Sequence, residues 1–484
     1  MEYDYLIPES TRTINICLDL DKSFIPKAEY VFRTFCKIIG INPRFSYKKN
    51  LHNIIVYYGP DKKIDTPIKI YHDPNTPNFF QAIEDINRKK ITLYKYKGEY
   101  VPCLFSKFGE ILHPTGNNII IRKDIIASAF FFLSCWQEYI AFKKKRYHKF
   151  LYTDTINYEF NFLDKPIVDI YAEIFKKSIN IVMPGFIEKN IWPENKTFSL
   201  ALTHDFDYWN YWDGLQKRQI KSEGLNKIVT QIKRNLRKID NKFNANAAYK
   251  RNLQIINNEK KIDVSSTNFL LAKESDQDPR RNYIKNSKYR AQIKDILKNE
   301  SIGLHGSEKS TFDLKILKNE LEKIKKLDFS PIGFRSHYLN FEYQTLFKNL
   351  EKAGIKYDSS LGFNGDINYS FRAGVSSPFF PFNIDENRPF NVLEIPLVIM
   401  DVSIYISSKK HNNGLGYGQD KAFELMNKIK NLQSSVTVLW HNNTFDPLDY
   451  FRLDKLYWDL IKKAKKENAW IVNTDELYEN WINI

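Results

Sequence analysis

The side chains best suited to chemistry stand at the ends of short apolar runs in the second half of the chain. They form four sets: Asp205 with Asp207, His305, Arg335 with His337, and His441. Carboxylates and imidazoles are the groups that most often bind divalent cations and transfer protons in proteins. Four such sets in succession are improbable as independent structural accidents, so we interpret them as one functional site.

The pair Asp205 and Asp207 illustrates the chemistry. Residues two apart in a strand point the same way, so one carboxylate can bind a cation while the other, kept ionised by that cation, acts as a base. By itself the pattern also fits a plain turn or a helix N-cap. His305 follows an apolar run in a Gly/Ser-rich turn, which suits a metal ligand, although a hydrogen-bonded structural histidine has the same pattern.

The elements that must position these side chains alternate from residue 198 onward. Predicted strands cover 198–202, 266–271, 302–304, 332–335, 356–358, 393–398, 436–440 and 470–472, and predicted helices between them include 312–327, 342–353, 421–432 and 451–466. Such alternation indicates a parallel sheet with helices outside it, and seven or eight strands predict an α/β barrel. Barrel chemistry lies at the C-terminal ends of the strands, where the four sets stand.

The first 195 residues show no comparable set of reactive side chains. Their strand-like runs cover 13–18, 53–58, 67–71 and 118–121, and one strong helix is predicted over 125–142, with an aromatic run that we assign to the core. We predict an α+β accessory domain over 1–195. A proline in a polar cluster at 192–196 marks the boundary to a barrel domain over 196–484.

The ordered motifs resemble the polysaccharide deacetylase family (NodB homology domain, carbohydrate esterase 4-like), in particular long bacterial members with an extra N-terminal domain. The resemblance covers about residues 196–484 and is carried by Thr203-His204-Asp205-Phe206-Asp207, Gly303-Leu304-His305-Gly306-Ser307, Phe334-Arg335-Ser336-His337-Tyr338, Leu393-Glu394-Ile395-Pro396 with Asp401, and Leu439-Trp440-His441. It implies a distorted (β/α) barrel that removes N- or O-acetyl groups from sugars with a divalent cation, for which we expect zinc.

The resemblance also implies a role for each matching residue. Asp205 matches the general base, Arg335 the residue that orients it, and His441 the general acid. Asp401 matches the acidic residue that sets the charge of that histidine. The remaining matches are the metal ligands Asp207 and His305 and two residues of the substrate pocket, Trp440, which would wall the space for the acetyl methyl group, and Tyr338.

One position departs from the family pattern. The family usually has a second metal-binding histidine four residues after the first, and here that place holds Lys309, a cation and therefore a poor ligand. His337, where the family more often has proline, is our candidate for the third ligand. With Asp207 and His305 it would leave one position open for water. Ser307 or Ser310, acting through water, is the competing assignment.

The net charge of +16 is concentrated in one segment. Residues 217–261 carry thirteen Lys or Arg and three acidic residues, and the apolar residues of this segment recur at steps of three and four. This pattern predicts an amphipathic helix with a basic outer face, inside an insertion at about 213–262. The segment is either a solvated helix or a binding surface for an anionic group or a membrane. It lacks the regular aromatic interleaving of a single-strand-binding groove, so we expect no nucleic-acid partner.

The sequence also predicts the cellular compartment of the protein and the class of its substrate. The chain shows no basic segment followed by an apolar stretch at its N-terminus and no long uncharged apolar run, so we expect a cytoplasmic protein with four buried, unpaired cysteines. We expect a deacetylase that acts on an acetylated sugar or a precursor of a bacterial surface glycan. The alternatives are a catalytically silent carbohydrate-binding barrel, a hydrolase of a non-sugar amide, and a binder of anionic surfaces.

Overall fold

The computed structural model describes residues 13–47, 53–61, 63–105, 109–144, 150–186, 190–210, 232, 235–236, 246–273, 278–364, 370–411, 414–447, 450 and 452–484. Within these ranges a six-stranded sheet lies in the N-terminal part and a nine-stranded sheet lies in the remainder. Helices flank both sheets. The mixed α/β class predicted from the sequence is confirmed.

The first sheet has the strand order β2-β1-β3-β4-β8-β7. Its strands are β1 (Thr13–Leu18), β2 (Asn42–Ser46), β3 (Val56–Gly59), β4 (Ile68–Tyr71), β7 (Leu112–Thr115) and β8 (Asn118–Ile121), and a separate hairpin joins β5 (Thr92–Tyr96) to β6 (Glu99–Cys103). Neighbouring strands are parallel except β7 and β8. Each strand predicted in this half overlaps an observed strand, whereas their mostly parallel pairing was not evident from the apolar runs.

The helices of this half are α1 (Ile25–Ile38), α2 (Thr76–Gln81), α3 (Ile125–Leu133), α4 (Trp136–Lys143), α5 (Ile156–Glu159) and α6 (Ile167–Val182). The single helix predicted over 125–142 is wrong, because the chain bends by 56° between α3 and α4, where Cys135 has a φ of 47°. The bend brings the rings of Phe130 and Trp136 onto the same partner, Phe80, with centroids 4.9 Å away in both cases. Ser134, next to the bend, does not mark it in the sequence, since α3 itself contains another serine, Ser128.

The most apolar segment of the chain is core. All nine residues of α3 are buried. Among the described residues no single helix is long and apolar enough to cross a membrane, and α3 and α4 reach that composition only as a bent pair. Cys17, Cys36, Cys103 and Cys135 are buried free thiols, as predicted.

The second sheet curls into a distorted barrel in which every neighbouring pair is parallel. Its order is β16-β13-β12-β11-β10-β9-β18-β17, with β19 beside the start of β9. The strands are β9 (Phe198–Phe206), β10 (Thr267–Leu271), β11 (Ser301–Gly306), β12 (Gly333–Ser336), β13 (Tyr357–Asp358), β16 (Leu393–Glu394), β17 (Ile399–Met400), β18 (Ser435–Leu439) and β19 (Ala469–Val472). A separate two-stranded sheet joins β14 (Phe382–Asn383) to β15 (Arg388–Pro389). All eight strands predicted in this half are confirmed.

One segment, residues 393–400, borders both edges of the curled sheet. Its first residues pair with β13, and the Ile395 N–H donates to the Asp358 carbonyl at 2.8 Å. Its last residues pair with β18, and the Val398 N–H donates to the Thr437 carbonyl at 3.1 Å. The four residues 395–398 lie between these two short ladders, so the barrel closes through one interrupted strand.

The helices around the barrel are α7 (Ala247–Lys261), α8 (Ser287–Leu297), α9 (Leu314–Lys325), α10 (Tyr343–Ala353), α11 (Asp401–Ser408), α12 (Leu415–Asn431), α13 (Leu453–Lys466) and α14 (Thr474–Asn483). The four helices predicted from the sequence correspond to α9, α10, α12 and α13. Two of these helices, α9 and α10, begin with a side-chain cap. Asp313 accepts hydrogen bonds from the backbone N–H groups of Lys315 and Ile316. Glu342 accepts them from the backbone N–H groups of Gln344 and Thr345. Such caps satisfy N–H groups that a helix leaves unpaired.

The two halves of the chain share one continuous apolar core and a set of buried polar contacts. Arg372, in the barrel half, binds Glu138 of α4 through two nitrogens at 2.8 and 3.1 Å. Asp169 of α6 accepts hydrogen bonds from Ser377 and Ser434. The proposed boundary at 192–196 coincides with a short 3-10 turn, Pro193–Asn195, directly before β9.

Most of the predicted basic helix lies outside the described residues. Ile232 and Leu236 are helical and exposed, and the C-terminal part of the segment forms α7. The proposals for an anionic or membrane partner at 217–261 are therefore unaffected by the described structure.

Candidate active site

The predicted reactive residues converge at one end of the barrel. Their strands are neighbours in the order β12-β11-β10-β9-β18, and parallel strands present their carboxyl ends at the same rim. Asp205 lies at the end of β9 and Asp207 directly follows it, while His305 is the penultimate residue of β11. His337 immediately follows β12, and His441 is the second residue after the end of β18. All five side chains are at least four-fifths buried.

Asp207, His305 and His337 form one cluster of potential metal ligands, with their ligand atoms all within 4.8 Å of one another. His305 Nε2 lies 3.1 Å from Asp207 Oδ1, and His337 Nε2 lies 3.6 Å from the same oxygen. A tetrahedral zinc ion with bonds of about 2.0–2.1 Å separates its ligand atoms by about 3.3 Å. The cluster therefore has the spacing and the ligand chemistry of an open zinc site.

The tautomer of His305 supports this interpretation. Its Nδ1 lies 3.0 Å from the backbone carbonyl of Arg335, which can only accept, so Nδ1 carries the hydrogen. Nε2 of the neutral ring then presents a lone pair to the Asp207 carboxylate. Two acceptors 3.1 Å apart require a cation between them, which is either a proton or a metal ion. The residues present therefore fit a divalent cation.

A second carboxylate, Glu308, lies behind His337. Its Oε1 is 3.3 Å from His337 Nδ1, and its other oxygen binds Lys273. Burial would raise the pKa of Glu308, but His337 and Lys273 outweigh burial and hold that pKa well below its usual value. A carboxylate on the far nitrogen of a ligating histidine fixes the ring and raises its basicity. Sequence analysis missed Glu308, because a carboxylate in a polar turn carries no periodic signal.

Lys309 does not enter the cluster. Its side chain is exposed to solvent, whereas His337 is 2% exposed and packs edge-on against His305, with ring centroids 5.1 Å apart. Ser307 and Ser310 are engaged with the turn and with Glu320. The geometry therefore favours His337 over the two serines as the third ligand.

Asp205 stands beside the cluster, facing Arg335. Asp205 Oδ1 and Arg335 Nη1 are 3.8 Å apart, and neither atom makes a hydrogen bond within the described residues. Thr203 and Ser359 hold the other guanidinium nitrogen, Nη2, at 3.2 and 3.0 Å. The Phe269 ring lies 4.8 Å beneath the guanidinium. Arg335 thus supplies a fixed positive charge to a buried carboxylate whose Oδ2 lies 3.7 Å from His305 Nε2.

His441 and Asp401 form a hydrogen-bonded pair opposite Asp205. His441 Nδ1 lies 2.8 Å from Asp401 Oδ1, and the His441 backbone N–H donates to Asp401 Oδ2 at 2.7 Å. Thr444 donates to Oδ2 as well. Burial would lower the pKa of His441, but the Asp401 carboxylate outweighs burial and raises that pKa to about 10. The imidazole is therefore protonated at neutral pH, the state that a general acid requires.

The expectation for Trp440 is wrong. Side chains alternate along a strand, so Trp440 points away from the face that carries His441. It packs outside the sheet against Tyr457 of α13, with ring centroids 5.5 Å apart, and is fully buried there. A tryptophan next to a catalytic histidine suggests a pocket wall, but the strand period places it in the helix layer.

Tyr338 lies at the rim, next to an arginine that the sequence did not reveal. The Tyr338 ring stacks on His337 at a centroid distance of 3.8 Å and is 44% exposed. Arg281 donates to the hydroxyl of Tyr338 at 2.6 Å and to that of Tyr208 at 3.1 Å. Its Nη2 lies 3.8 Å from Asp207 Oδ2, so Arg281 screens the carboxylate oxygen that faces away from the two histidines.

A buried carboxyl pair lies behind Arg335. Asp358 and Glu394 occupy paired positions on β13 and β16, and both are fully buried. Burial raises the pKa of both, most strongly that of Glu394, whose pKa the neighbouring Asp358 raises further. Two adjacent carboxyl groups in an apolar core are stable when they share one proton. The pair therefore adds a single negative charge to the Arg335 side of the site.

A comparison with family models finds one match, which lies in the N-terminal part of the chain. Residues 16–184 match a family of unknown function, DUF7033. A search of curated proteins finds no significant match.

Solved structures similar to this chain include two proteins described as polysaccharide deacetylases and an allantoinase. A protein from Mycobacterium smegmatis described as a polysaccharide deacetylase is 16% identical, with 60% of this chain and 92% of that chain covered and a TM-score of 0.40. PuuE allantoinase is 14% identical over 61% and 94% of the two chains, with a TM-score of 0.39. A protein from Pseudomonas aeruginosa PAO1, also described as a polysaccharide deacetylase, is 13% identical over 63% and 96%, with a TM-score of 0.38. At these values the likenesses carry no inference about activity.

Proposed function

We propose that the protein is a metal-dependent hydrolase that removes an acetyl group, most readily an N-acetyl group, from a carbohydrate or glycan precursor. One observation carries the proposal. A three-ligand cluster, a carboxylate paired with a buried arginine, and an imidazole held protonated by a carboxylate meet at the same end of one barrel. Metal-assisted hydrolysis of an amide uses these three functions together: an electrophilic centre, a base and an acid.

The chain's own side chains divide the work as follows. Asp207, His305 and His337 would hold the cation. A divalent ion there supplies a Lewis acid that polarises the acyl oxygen and lowers the pKa of water. Asp205 would take the proton of the attacking water, and the Arg335 guanidinium, 3.8 Å away, would orient it. His441 is placed to protonate the leaving nitrogen or oxygen. Acetate and a free amine or hydroxyl are the products.

The ion that suits this cluster best is zinc. One carboxylate and two imidazoles form a mixed ligand set of the kind found in catalytic zinc sites, which keep a position open. The partners behind the ligands, the Arg335 carbonyl and Glu308, orient the rings as the outer ligands of such sites do. A cytoplasmic location and an anionic partner at 217–261 remain proposals made from the sequence.

The test combines metal analysis with acetate release. Purified protein is assayed for bound metal and for acetate release from a panel of N- and O-acetylated sugars. We expect about one divalent ion per chain in the wild type and its loss in His305→Ala and His337→Ala. Asp205→Asn should retain the ion and lose at least about a hundredfold in kcat, the usual contribution of a positioned base.

Lys309→Gln is the matched control, because this side chain is exposed and adjacent to the same turn. It should bind metal and release acetate as the wild type does. Absence of any divalent ion under all conditions would favour a silent carbohydrate-binding barrel. A loaded protein that hydrolyses small linear or cyclic amides and no acetylated sugar would favour the non-sugar alternative.

A further inference from the structure

A buried ion pair lies on the outer face of the barrel, beside the strand that leads to His441. His204 of β9 and Glu259 of α7 are 0% and 2% exposed, and His204 Nε2 lies 2.9 Å from Glu259 Oε1. Side chains alternate along a strand, so His204 points away from the face that carries Asp205. His204 belongs to the first sequence motif, but neither residue of the pair has a part in the proposed mechanism.

The ring of His204 is fixed on its Nε2 side. Glu259 also accepts hydrogen bonds from Ser266 Oγ at 2.8 Å and from the Tyr457 hydroxyl, so the carboxylate has little freedom to move. Burial would lower the pKa of His204, but Glu259 outweighs burial and raises that pKa. The rings of Tyr457 and Phe445 enclose the imidazole, each with its centroid 5.5 Å away. One N–H of the imidazole is thus directed at Glu259, and the other is left for a second acceptor.

Stability alone does not explain such a pair. Replacing a buried ion pair with apolar residues of similar volume is often neutral or stabilising, because the desolvation of two charges offsets their attraction. Apolar residues would suit the core cluster on this side of the sheet, which includes Leu202, Trp440 and Tyr457. The second contact of the His204 ring indicates what the pair does.

His204 binds the peptide group that joins Trp440 to His441. Its Nδ1 lies 2.7 Å from the Trp440 carbonyl oxygen, which can only accept, so Nδ1 carries a hydrogen. The N–H of the same peptide, that of His441, donates to Asp401 Oδ2 at 2.7 Å. Because a trans peptide is planar, its C=O and N–H point in opposite directions. The peptide after β18 is therefore held from both sides, by His204 of the neighbouring strand β9 and by Asp401 after the other neighbour, β17.

The two contacts act in series on the proposed acid. A donor at the C=O polarises the peptide and strengthens the hydrogen bond that its N–H donates. Asp401, which accepts this bond, also lies 2.8 Å from His441 Nδ1. The orientation of the imidazole therefore depends on Asp401, and Asp401 is bound to a peptide that His204 holds.

We propose that His204, kept in place by Glu259, is a positioning residue that fixes the direction in which His441 delivers its proton. This inference rests on the function proposed above. Metal binding should not depend on the pair, because the ligand cluster lies on the inner side of β9, β11 and β12 and the pair lies on the outer side of the sheet.

The test compares two changes of the same shape at position 204 in the full chain. Glu259→Gln is introduced first, so that no buried carboxylate is left without its partner. In this background His204→Asn retains an N–H donor at the place of Nδ1, whereas His204→Leu has the same branched shape and no donor. Both changes remove the imidazole and leave a similar space, so a difference between them reports the hydrogen bond to the Trp440 carbonyl.

Turnover and one amide resonance are the two readouts. Both proteins should bind metal as the wild type does. With the acetylated sugar that the wild type hydrolyses fastest, kcat of the His204→Leu protein should be at least about tenfold below that of the His204→Asn protein, the size of effect that lost orientation produces, with KM unchanged. In proton–nitrogen correlation spectra the His441 amide proton should move upfield in the His204→Leu protein alone, because its bond to Asp401 weakens.

His72→Leu is the matched control for the loss of a buried histidine. His72 is 7% exposed, lies in the N-terminal half and is 3.1 Å from the Tyr58 hydroxyl through Nδ1. Its replacement should lower the free energy of unfolding and leave both kcat and the His441 amide resonance unchanged.

The outcomes separate this inference from the proposed function. Equal kcat and equal His441 amide shifts in the two position-204 variants would overturn the inference. A rise in KM with kcat unchanged would overturn it as well, since that pattern belongs to a residue that binds the substrate. If the wild type releases no acetate from any sugar, the deacetylase fails, and the amide resonance still decides the link. A shift that follows the donor keeps the link from His204 to His441, and an unmoved resonance removes it.

Discussion

Among single residues, the two proposed proton carriers are held in different ways. Asp401 binds the ring and the backbone of His441 at 2.8 and 2.7 Å, so the imidazole has a fixed orientation. Asp205 faces Arg335 at 3.8 Å, beyond hydrogen-bonding distance. The acid is thus fixed by hydrogen bonds, and the base mainly by charge.

Removing the Asp401 carboxylate should shift the pH dependence of turnover. His441 has a pKa of about 10 because Asp401 stabilises the imidazolium, so the acid form persists through neutral pH. In Asp401→Asn we expect this pKa to fall toward the ordinary value of about 6.5. The protonated form is then lost as pH rises through this lower value, and kcat at pH 8 should fall at least about tenfold. A kcat profile from pH 5 to 10 measures the shift, and an unmoved alkaline limb would contradict the assigned role of Asp401.

The sequence predicted those site residues whose position depends on strand ends. Asp207, His305 and His337 come together because three apolar runs become neighbouring parallel strands. Trp440 was misplaced because adjacent residues of a strand point to opposite faces. Glu308 and Arg281 were missed because their contacts depend on how turns fold, which leaves no periodic pattern in the sequence.

At the level of elements, the strands beneath the site pack glycine against aromatic rings. Gly303 of β11 is paired with Phe269 of β10, and Gly333 of β12 with Tyr357 of β13. A methyl group at Gly303 would lie 2.3 Å from the Phe269 ring. This close packing supports Arg335, whose guanidinium rests on the same ring.

Gly303→Ala should therefore reduce both stability and turnover. Overpacking of this kind costs about 1–3 kcal/mol of unfolding free energy, and displacement of Phe269 disturbs the charge that faces Asp205. Urea unfolding and kcat together measure the two effects. Combining Gly303→Ala with Phe269→Leu should cost less than the sum of the two single changes, because the smaller side chain makes room. If the two changes in unfolding free energy are strictly additive, the contact between residue 303 and the Phe269 ring is not the source of the destabilisation.

Helices and strands could be predicted where apolar runs are bounded by polar residues. The barrel strands and four of its helices have ends marked by polar turns or caps. The bend between α3 and α4 could not be predicted, since serine occurs both inside α3 and at the bend, and the chain turns there to bring two aromatic rings onto Phe80. Of the two-residue strands in the curled sheet, β13 and β16 fall within predicted runs, whereas β17 was not predicted.

At the scale of the whole molecule, the N-terminal part is joined to the barrel by ionic contacts inside a continuous core. Glu138 and Arg372 are 3% and 8% exposed. Burial raises the pKa of Glu138 even though Arg372 lowers it. The ionised form of Glu138 is therefore stabilised by Arg372, which lies in the other half of the chain.

Arg372→Met should destabilise the whole chain in a pH-dependent way. Leaving Glu138 buried without its partner costs about 3–5 kcal/mol near pH 8. A carboxyl group whose pKa is higher in the folded than in the unfolded state binds more protons when folded, so stability rises as pH falls. The deficit of this variant should therefore shrink between pH 8 and pH 5 in urea unfolding. The double change with Glu138→Leu should recover most of the loss, and failure to do so would show that the ion pair is not its source.

The interrupted strand at residues 393–400 affects how long the proposed active site keeps His441 correctly oriented. Two short ladders hold it, and segments with few backbone hydrogen bonds open more often than long strands. Asp401, which begins helix α11 directly after this segment, orients His441, whereas the metal cluster is carried by the continuous strands β9, β11 and β12. Transient opening of the barrel would therefore disorient the acid and leave the ligand cluster assembled. We expect faster amide hydrogen exchange at 395–400 than in β9. The rate at which this segment opens would then determine how long His441 keeps the orientation that a general acid needs.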